Sequence, residues 1–158
     1  MKEVFVNIGE IQVLKQRGRL VAVGLGSCVG LILYDALAKV GGMAHVFLPT
    51  NKRGGANEHP GKFADTAILA MVEQMTSLGA QKRRLTAKMA GGSQLFSYGA
   101  PFMDVGRQNA EALQRELQAA GIPLAGSDVL GSRGRKLIFD VATGQVLVFV
   151  IGEDPVEL

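Results

Sequence analysis

The chain has 158 residues, 47% of them hydrophobic and 20% charged, with a net charge of +3. That is enough sequence to bury a core without metals or disulfides, and the composition is that of a globular rather than a disordered chain. A single cysteine excludes an intrachain disulfide and fits a reducing compartment. One domain over 1–158 is therefore expected. Two small basic groups, Lys82-Arg83-Arg84 and Arg133, Arg135 and Lys136, read as a solvated face rather than a patch for an anionic partner. Neither zinc-finger spacing nor an RNP-type aromatic motif points to nucleic acid. The segment Met1 to Asn7 is too short and polar for a signal peptide. No apolar run approaches the roughly 20 residues of a membrane span, so no membrane insertion and a cytoplasmic location are expected.

Taken in chain order, the pattern predicts short strands at Val4–Ile8 and Gln12–Leu14, then a turn at Gly18. An apolar strand at Leu20–Val23 runs into Gly24-Leu25-Gly26-Ser27-Cys28. Buried strands follow at Val29–Tyr34 and Gly42–Leu48, separated by a turn at Asp35. Thr50 to Pro60 is polar and glycine-containing, hence a loop. Phe63, Ala67, Met71, Met75 and Leu78 form one apolar stripe, which predicts a helix over Gly61–Leu78 with Gly79 as its left-handed cap. Leu85–Ala90 reads as a strand ending at Gly91-Gly92. A second helix is expected over Val105–Ala120, with Asp104 as N-cap, a stripe of Ala110, Leu113, Leu117 and Ala120, and Gly121 at its end. A strand at Ile122–Leu130 precedes a hairpin of Lys136–Val141 and Gln145–Ile151 turning through Ala142-Thr143-Gly144. The helices do not alternate regularly with the strands. This favours an α+β domain, a mixed-sheet β-sandwich-like core with two long flanking helices, over a doubly wound parallel sheet.

The most informative stretch is Gly24-Leu25-Gly26-Ser27-Cys28-Val29-Gly30. Two glycines permit a tight turn with positive φ, which can aim successive N–H groups at one spot and bind an oxyanion. A dinucleotide fingerprint fails on spacing and on the strand that follows; a P-loop fails because no Lys-Ser or Lys-Thr closes it. Cys28, at the end of this turn, is either a small buried hydrophobe or a nucleophile that needs a base to take its proton. His45 is the best candidate base, on a strand where Met43, His45 and Phe47 share one face and Ala44, Val46 and Leu48 the other. Its plain alternative is a satisfied core histidine. His59, in the polar loop, reads as a surface residue. Two histidines and one cysteine without close spacing form no recognisable zinc set, and no other cofactor is implied.

Gly24-Leu25-Gly26-Ser27-Cys28-Val29 followed by Gly42-Met43-Ala44-His45-Val46-Phe47-Leu48-Pro49 resembles the CheD family of chemoreceptor glutamine deamidases. The resemblance continues through Pro60-Gly61-Lys62-Phe63-Ala64-Asp65-Thr66-Ala67, Ala87-Lys88-Met89-Ala90-Gly91-Gly92 and Gly106-Arg107-Gln108-Asn109. Five motifs in order, from about Ile8 to Val150, make it specific. It implies a cysteine-hydrolase-like core, with Cys28 as nucleophile, His45 as base, and backbone N–H groups near Gly26, Ser27 and Cys28 for the oxyanion. The implied reaction is hydrolysis of glutamine side-chain amides on the cytoplasmic helices of methyl-accepting chemotaxis receptors, with glutamate methyl esters as possible further substrates. A CheC-like phosphatase is the implied protein partner.

One position departs from the family. A threonine that helps orient the histidine is usual on the strand before the glycine turn, and this chain has Ala22 there. His45 must then be oriented by water, by backbone, or by a residue such as Thr50 or Asn51. Two other readings stay open: a non-catalytic family member that binds receptors or a CheC-like phosphatase, and a cysteine hydrolase for a small-molecule amide.

Overall fold

The computed structural model describes residues 2–52, 59–95 and 104–158. The strands are β1 (Glu3–Phe5), β2 (Ile11–Lys15), β3 (Arg19–Leu25), β4 (Val29–Asp35), β5 (Val40–Val46), β6 (Thr86–Gly91), β7 (Leu124–Val129), β8 (Arg135–Asp140), β9 (Val146–Phe149) and β10 (Val156–Glu157). The helices are α1 (Ala64–Thr76) and α2 (Val105–Ala120), with short 3-10 turns at Pro60–Lys62 and Lys82–Arg84. One sheet has the order β1-β3-β8-β9-β10 and the other β2-β5-β4-β6-β7. Both are mixed: β1 runs parallel to β3 and β6 parallel to β7, while the remaining neighbours are antiparallel. The expected α+β sandwich with two flanking helices is what forms.

The layering follows from strand alternation. On β4, Val29, Leu31 and Leu33 pack with Met71, Met75, Leu113 and Leu117 of the helices. Ile32, on the other face, joins Leu20, Met43, Leu137 and Phe139 in a second core between the sheets. The β4–β5 pair is thus covered on both faces, which explains its near-continuous apolar sequence. Phe139 is fully buried and meets Tyr34 edge to face at 5.2 Å. It lies over Gly41, where an added Cβ would come within 2.5 Å of its ring. Burying a side chain of this kind contributes roughly 1.5–3 kcal/mol.

Several expected boundaries shift for local reasons. The first helix begins at Ala64 rather than Gly61, because Phe63 is extended (φ −119°, ψ 137°) and bridges Leu48. It ends at Thr76, and Gly79 (φ +106°) then closes a Schellman turn, with Ala80 N–H on the Met75 carbonyl and Gly79 N–H on that of Thr76. The second helix has the expected bounds, with Asp104 accepting from Arg107 N–H at 3.0 Å and Gly121 left-handed at φ +73°. β1 stops at Phe5, although Val6 N–H still bonds the Val21 carbonyl. Strand β10 is only two exposed residues long, too short to show an alternation in the sequence. The stretch 53–58 of the expected polar loop lies outside the described residues.

The basic groups are not wholly a solvated face. Arg84 grips the fully buried Asp35 carboxylate at 2.9 Å, and Arg135, with its side chain almost covered, bonds Ser93 Oγ and the Leu130 carbonyl. Burial raises the Asp35 pKa, but N–H groups of Ala38 and Gln81 and the Arg84 guanidinium outweigh it and hold the carboxyl below its ordinary value. No helix among the described residues is long and apolar enough to cross a membrane.

Candidate active site

Strand β3 breaks register with β8 between Ala22 and Leu25, and this bulge throws the chain into the glycine turn. Gly24 sits at φ +65°, a conformation that L side chains rarely adopt. Gly26 is needed for space instead, since an added Cβ would lie 2.8 Å from Leu95 Cδ1. The turn is fastened to the end of β6: Ser93 N–H donates to the Gly26 carbonyl at 2.8 Å, and Gly92 N–H to the Cys28 carbonyl at 2.9 Å. Gly26 N–H is engaged by the Gly24 carbonyl at 3.0 Å. Cys28 emerges immediately before β4 and points into the core between the sheets, 5% exposed. Burial pushes its thiol pKa up.

His45 stands on β5 directly opposite Gly30 of β4. It is two positions from Met43, so it shares the inter-sheet face with Met43 and Cys28. The residue is 3% exposed, and Nδ1 lies 2.9 Å from the Val6 carbonyl oxygen. A carbonyl can only accept, so Nδ1 carries the proton and Nε2 presents a lone pair. Among the described residues Nε2 has no hydrogen-bond partner. Burial lowers the histidine pKa, against the opposing pull of the Val6 carbonyl and of Glu10. The side chain forms part of a cleft of about 410 Å³, lined also by Phe5, Val6, Asn7, Ile8 and Val23. Three of these wall residues, Phe5, Ile8 and Val23, are exposed apolar side chains.

The fold therefore places Cys28, just before β4, and His45, on β5, in one layer, diagonal to each other across Gly30, without a hydrogen bond between them. Of the orienting groups open to His45 without a threonine at position 22, the backbone is the one used. Asn51 N–H bonds Asp65 instead, Thr50 is exposed, and Ala22 is fully buried in the inter-sheet core. His59 is exposed, with its carbonyl accepting from Lys62 N–H. Among the described residues no group of three or more His, Cys, Asp or Glu is placed to hold a metal ion.

Sequence reasoning gave no role to Asn109. Its side chain is fully buried, and Nδ2 donates to the Ser27 carbonyl at 2.9 Å and to the Phe47 carbonyl at 3.0 Å. The signal was present: Asn109 lies one turn before Leu113 and two before Leu117, a polar residue on a core-facing line.

Comparison with known proteins gives the family. The chain belongs to the CheD family of chemotactic sensory transduction proteins, whose family model matches residues 47–149. That match starts beyond Cys28 and His45. The chain is 44% identical over 154 residues to a Moorella thermoacetica protein named "Probable chemoreceptor glutamine deamidase CheD", spanning 96% of this chain and 92% of the relative. A Clostridium botulinum protein of the same name is 40% identical over 96% of this chain and 95% of its own length.

Proposed function

We propose that this protein hydrolyses glutamine side-chain amides on the cytoplasmic helices of chemotaxis receptors, with Cys28 as nucleophile and His45 as general base. The observation that carries this reading is the histidine: its Nδ1–H is fixed on the Val6 carbonyl, and its Nε2, without a partner among the described residues, shares a face with the only thiol in the chain. Most buried polar atoms find a partner, so an open Nε2 is a nitrogen left available for chemistry. The names of the relatives supply the substrate class.

The steps are these. A receptor glutamine enters the cleft beside His45. The Cys28 thiol gives its proton to Nε2 as sulfur bonds the amide carbon. The carbonyl oxygen becomes an oxyanion, received by the N–H groups of Ser27 and Cys28, since that of Gly26 is already engaged. His45 returns the proton to the leaving nitrogen, and the C–N bond breaks to release ammonia and leave a thioester. Water then loses a proton to Nε2 and attacks the thioester; the thiol departs protonated and the receptor carries a glutamate. The same steps cleave a glutamate methyl ester, with methanol leaving. Each turnover on an amide adds one negative charge to the receptor. A CheC-like phosphatase is the protein partner this reading carries over from the family, and the cytoplasm, where receptor helices are accessible, is the compartment.

A second reading, docking without chemistry, is favoured by the covered thiol and the missing Cys28–His45 hydrogen bond. Mass spectrometry of a purified receptor cytoplasmic fragment, incubated with the wild type or Cys28→Ala, separates the two. Conversion of particular glutamines to glutamates by the wild type alone is expected. Conversion by both proteins removes Cys28 from the chemistry, and conversion by neither, with the receptor bound, establishes docking.

A further inference from the structure

Two groups of this chain must be held in register if Cys28 and His45 act together, and they leave their strands on different segments. Ser27 and Cys28 lie before the start of β4, whereas Phe47 lies just after β5 ends at Val46. Beyond the last paired residues, Val29 and Val46, the β4–β5 ladder no longer ties these ends to each other. One side chain does. Asn109, reaching down from α2, donates one N–H to the Ser27 carbonyl and the other to the Phe47 carbonyl. Both protons of the amide are used, so its orientation is set, and Oδ1 is left buried without a partner among the described residues.

The helix that carries Asn109 is brought within reach by bare backbone. An added Cβ at Gly106 would meet the Gly92 carbonyl carbon at 2.6 Å, and one at Gly92 would meet the Gly106 oxygen at 2.7 Å. The first turn of α2 is thus seated on the segment whose Gly92 and Ser93 N–H groups fasten the glycine turn. Four of the sequence motifs converge here: Asn109 joins the segments of Cys28 and His45, and Gly106 seats its helix on Gly92.

We infer that Asn109 is a positioning residue that clamps the nucleophile turn to the base strand and so sets the separation of Cys28 and His45. This inference rests on the Cys–His reading above. Asn109 hydrogen-bonds neither thiol nor imidazole, and acts by fixing the carbonyl of Ser27, just before Cys28, and that of Phe47, two residues past His45. A buried amide in this place also answers a packing need: two carbonyls at the ends of covered strands need donors, and a charged donor would carry a heavier desolvation cost.

The experiment compares wild type with Asn109→Ala and the near-isosteric Asn109→Asp, each first checked for a native circular dichroism spectrum and a melting midpoint above the assay temperature. Turnover of the receptor fragment and alkylation of Cys28 by iodoacetamide are then read on the same folded samples. For a clamp, kcat falls about 10- to 100-fold with KM within about twofold, because misplacement by an ångström taxes the chemical step and not binding. Alkylation of Cys28 speeds up as its turn is released. In Asn109→Asp, kcat gains a further limb in its pH profile, falling as the new carboxyl loses its O–H donor. Folded variants with unchanged kcat and unchanged alkylation overturn the inference, and so does failure of both to fold, which makes Asn109 a stability residue. If wild type itself shows no turnover, the deamidase reading fails while alkylation still decides whether the clamp exists.

Discussion

The protonation state of Cys28 and His45 before substrate arrives can be read from their surroundings, and it leads to a sharp expectation. Burial raises the thiol and lowers the imidazole, and the two do not hydrogen-bond. Both shifts favour the neutral pair over a thiolate–imidazolium pair. With a pKa above the ordinary thiol value of about 8.5, the thiolate fraction at pH 7 is below about 3%. The chain has one cysteine, so intact-mass measurement of iodoacetamide labelling reports on Cys28 alone. The labelling rate should rise about tenfold per pH unit from pH 7 to 8 and keep rising beyond 8.5. His45→Gln should leave that profile within about twofold of wild type. Turnover behaves differently under the proposed mechanism, in which the neutral imidazole is the base: log(kcat/KM) should fall only as pH drops through the lowered histidine pKa, below about 6.5. A labelling rate already flat by pH 7, and lost in His45→Gln, would refute the reasoning and establish a preformed ion pair. A quiet thiol at neutral pH is therefore no argument against catalysis by this chain.

Other expectations concern the frame around the pair. Ala22→Thr should not raise kcat, because the Val6 carbonyl already fixes Nδ1–H; the added buried hydroxyl should lower stability by about 1 kcal/mol in urea titration unless it finds a backbone acceptor. A rise in kcat would mean that His45 is under-oriented as it stands. Asp35→Ala should cost about 3 kcal/mol by removing the acceptor of Arg84 and of three backbone N–H groups. Its wild-type carboxyl is held below the usual range, so its contribution is full above about pH 4 and lost as pH falls through the folded value; acid titration of the two proteins should converge there. Phe139→Ala should cost about 3–5 kcal/mol, seen as a melting midpoint lower by about 10 °C, and a loss under about 1 kcal/mol would mean that the inter-sheet core collapses freely around the gap.

How much of this was legible depended on where the deciding interaction lies. The second helix was readable to the residue, because its ends are local chemistry: Asp104 caps it and Gly121 stops it. The first helix was overextended at its start, since Phe63 is drawn into extended geometry by Leu48, a partner fifteen positions away that no periodicity records. The division of the ten described strands between two sheets was not legible either, as the parallel β1–β3 and β6–β7 pairings depend on long-range register. Cys28 and His45 stood out by residue type and motif. The Val6 carbonyl could not, because a backbone oxygen has no sequence signature. Asn109 lay in a recognised motif, but only the fold shows which two carbonyls it reaches.

The contact between Gly92 and Gly106 has a consequence for how this protein can vary. A joint between two glycines is at its shortest possible separation, so substitution can lengthen it and never shorten it. Drift at either position moves the helix in one direction only, outward from the turn that holds Cys28. The range of geometries open to its descendants is thus bounded on one side by bare backbone, and retuning of the pair must come from the strands or from the cleft walls.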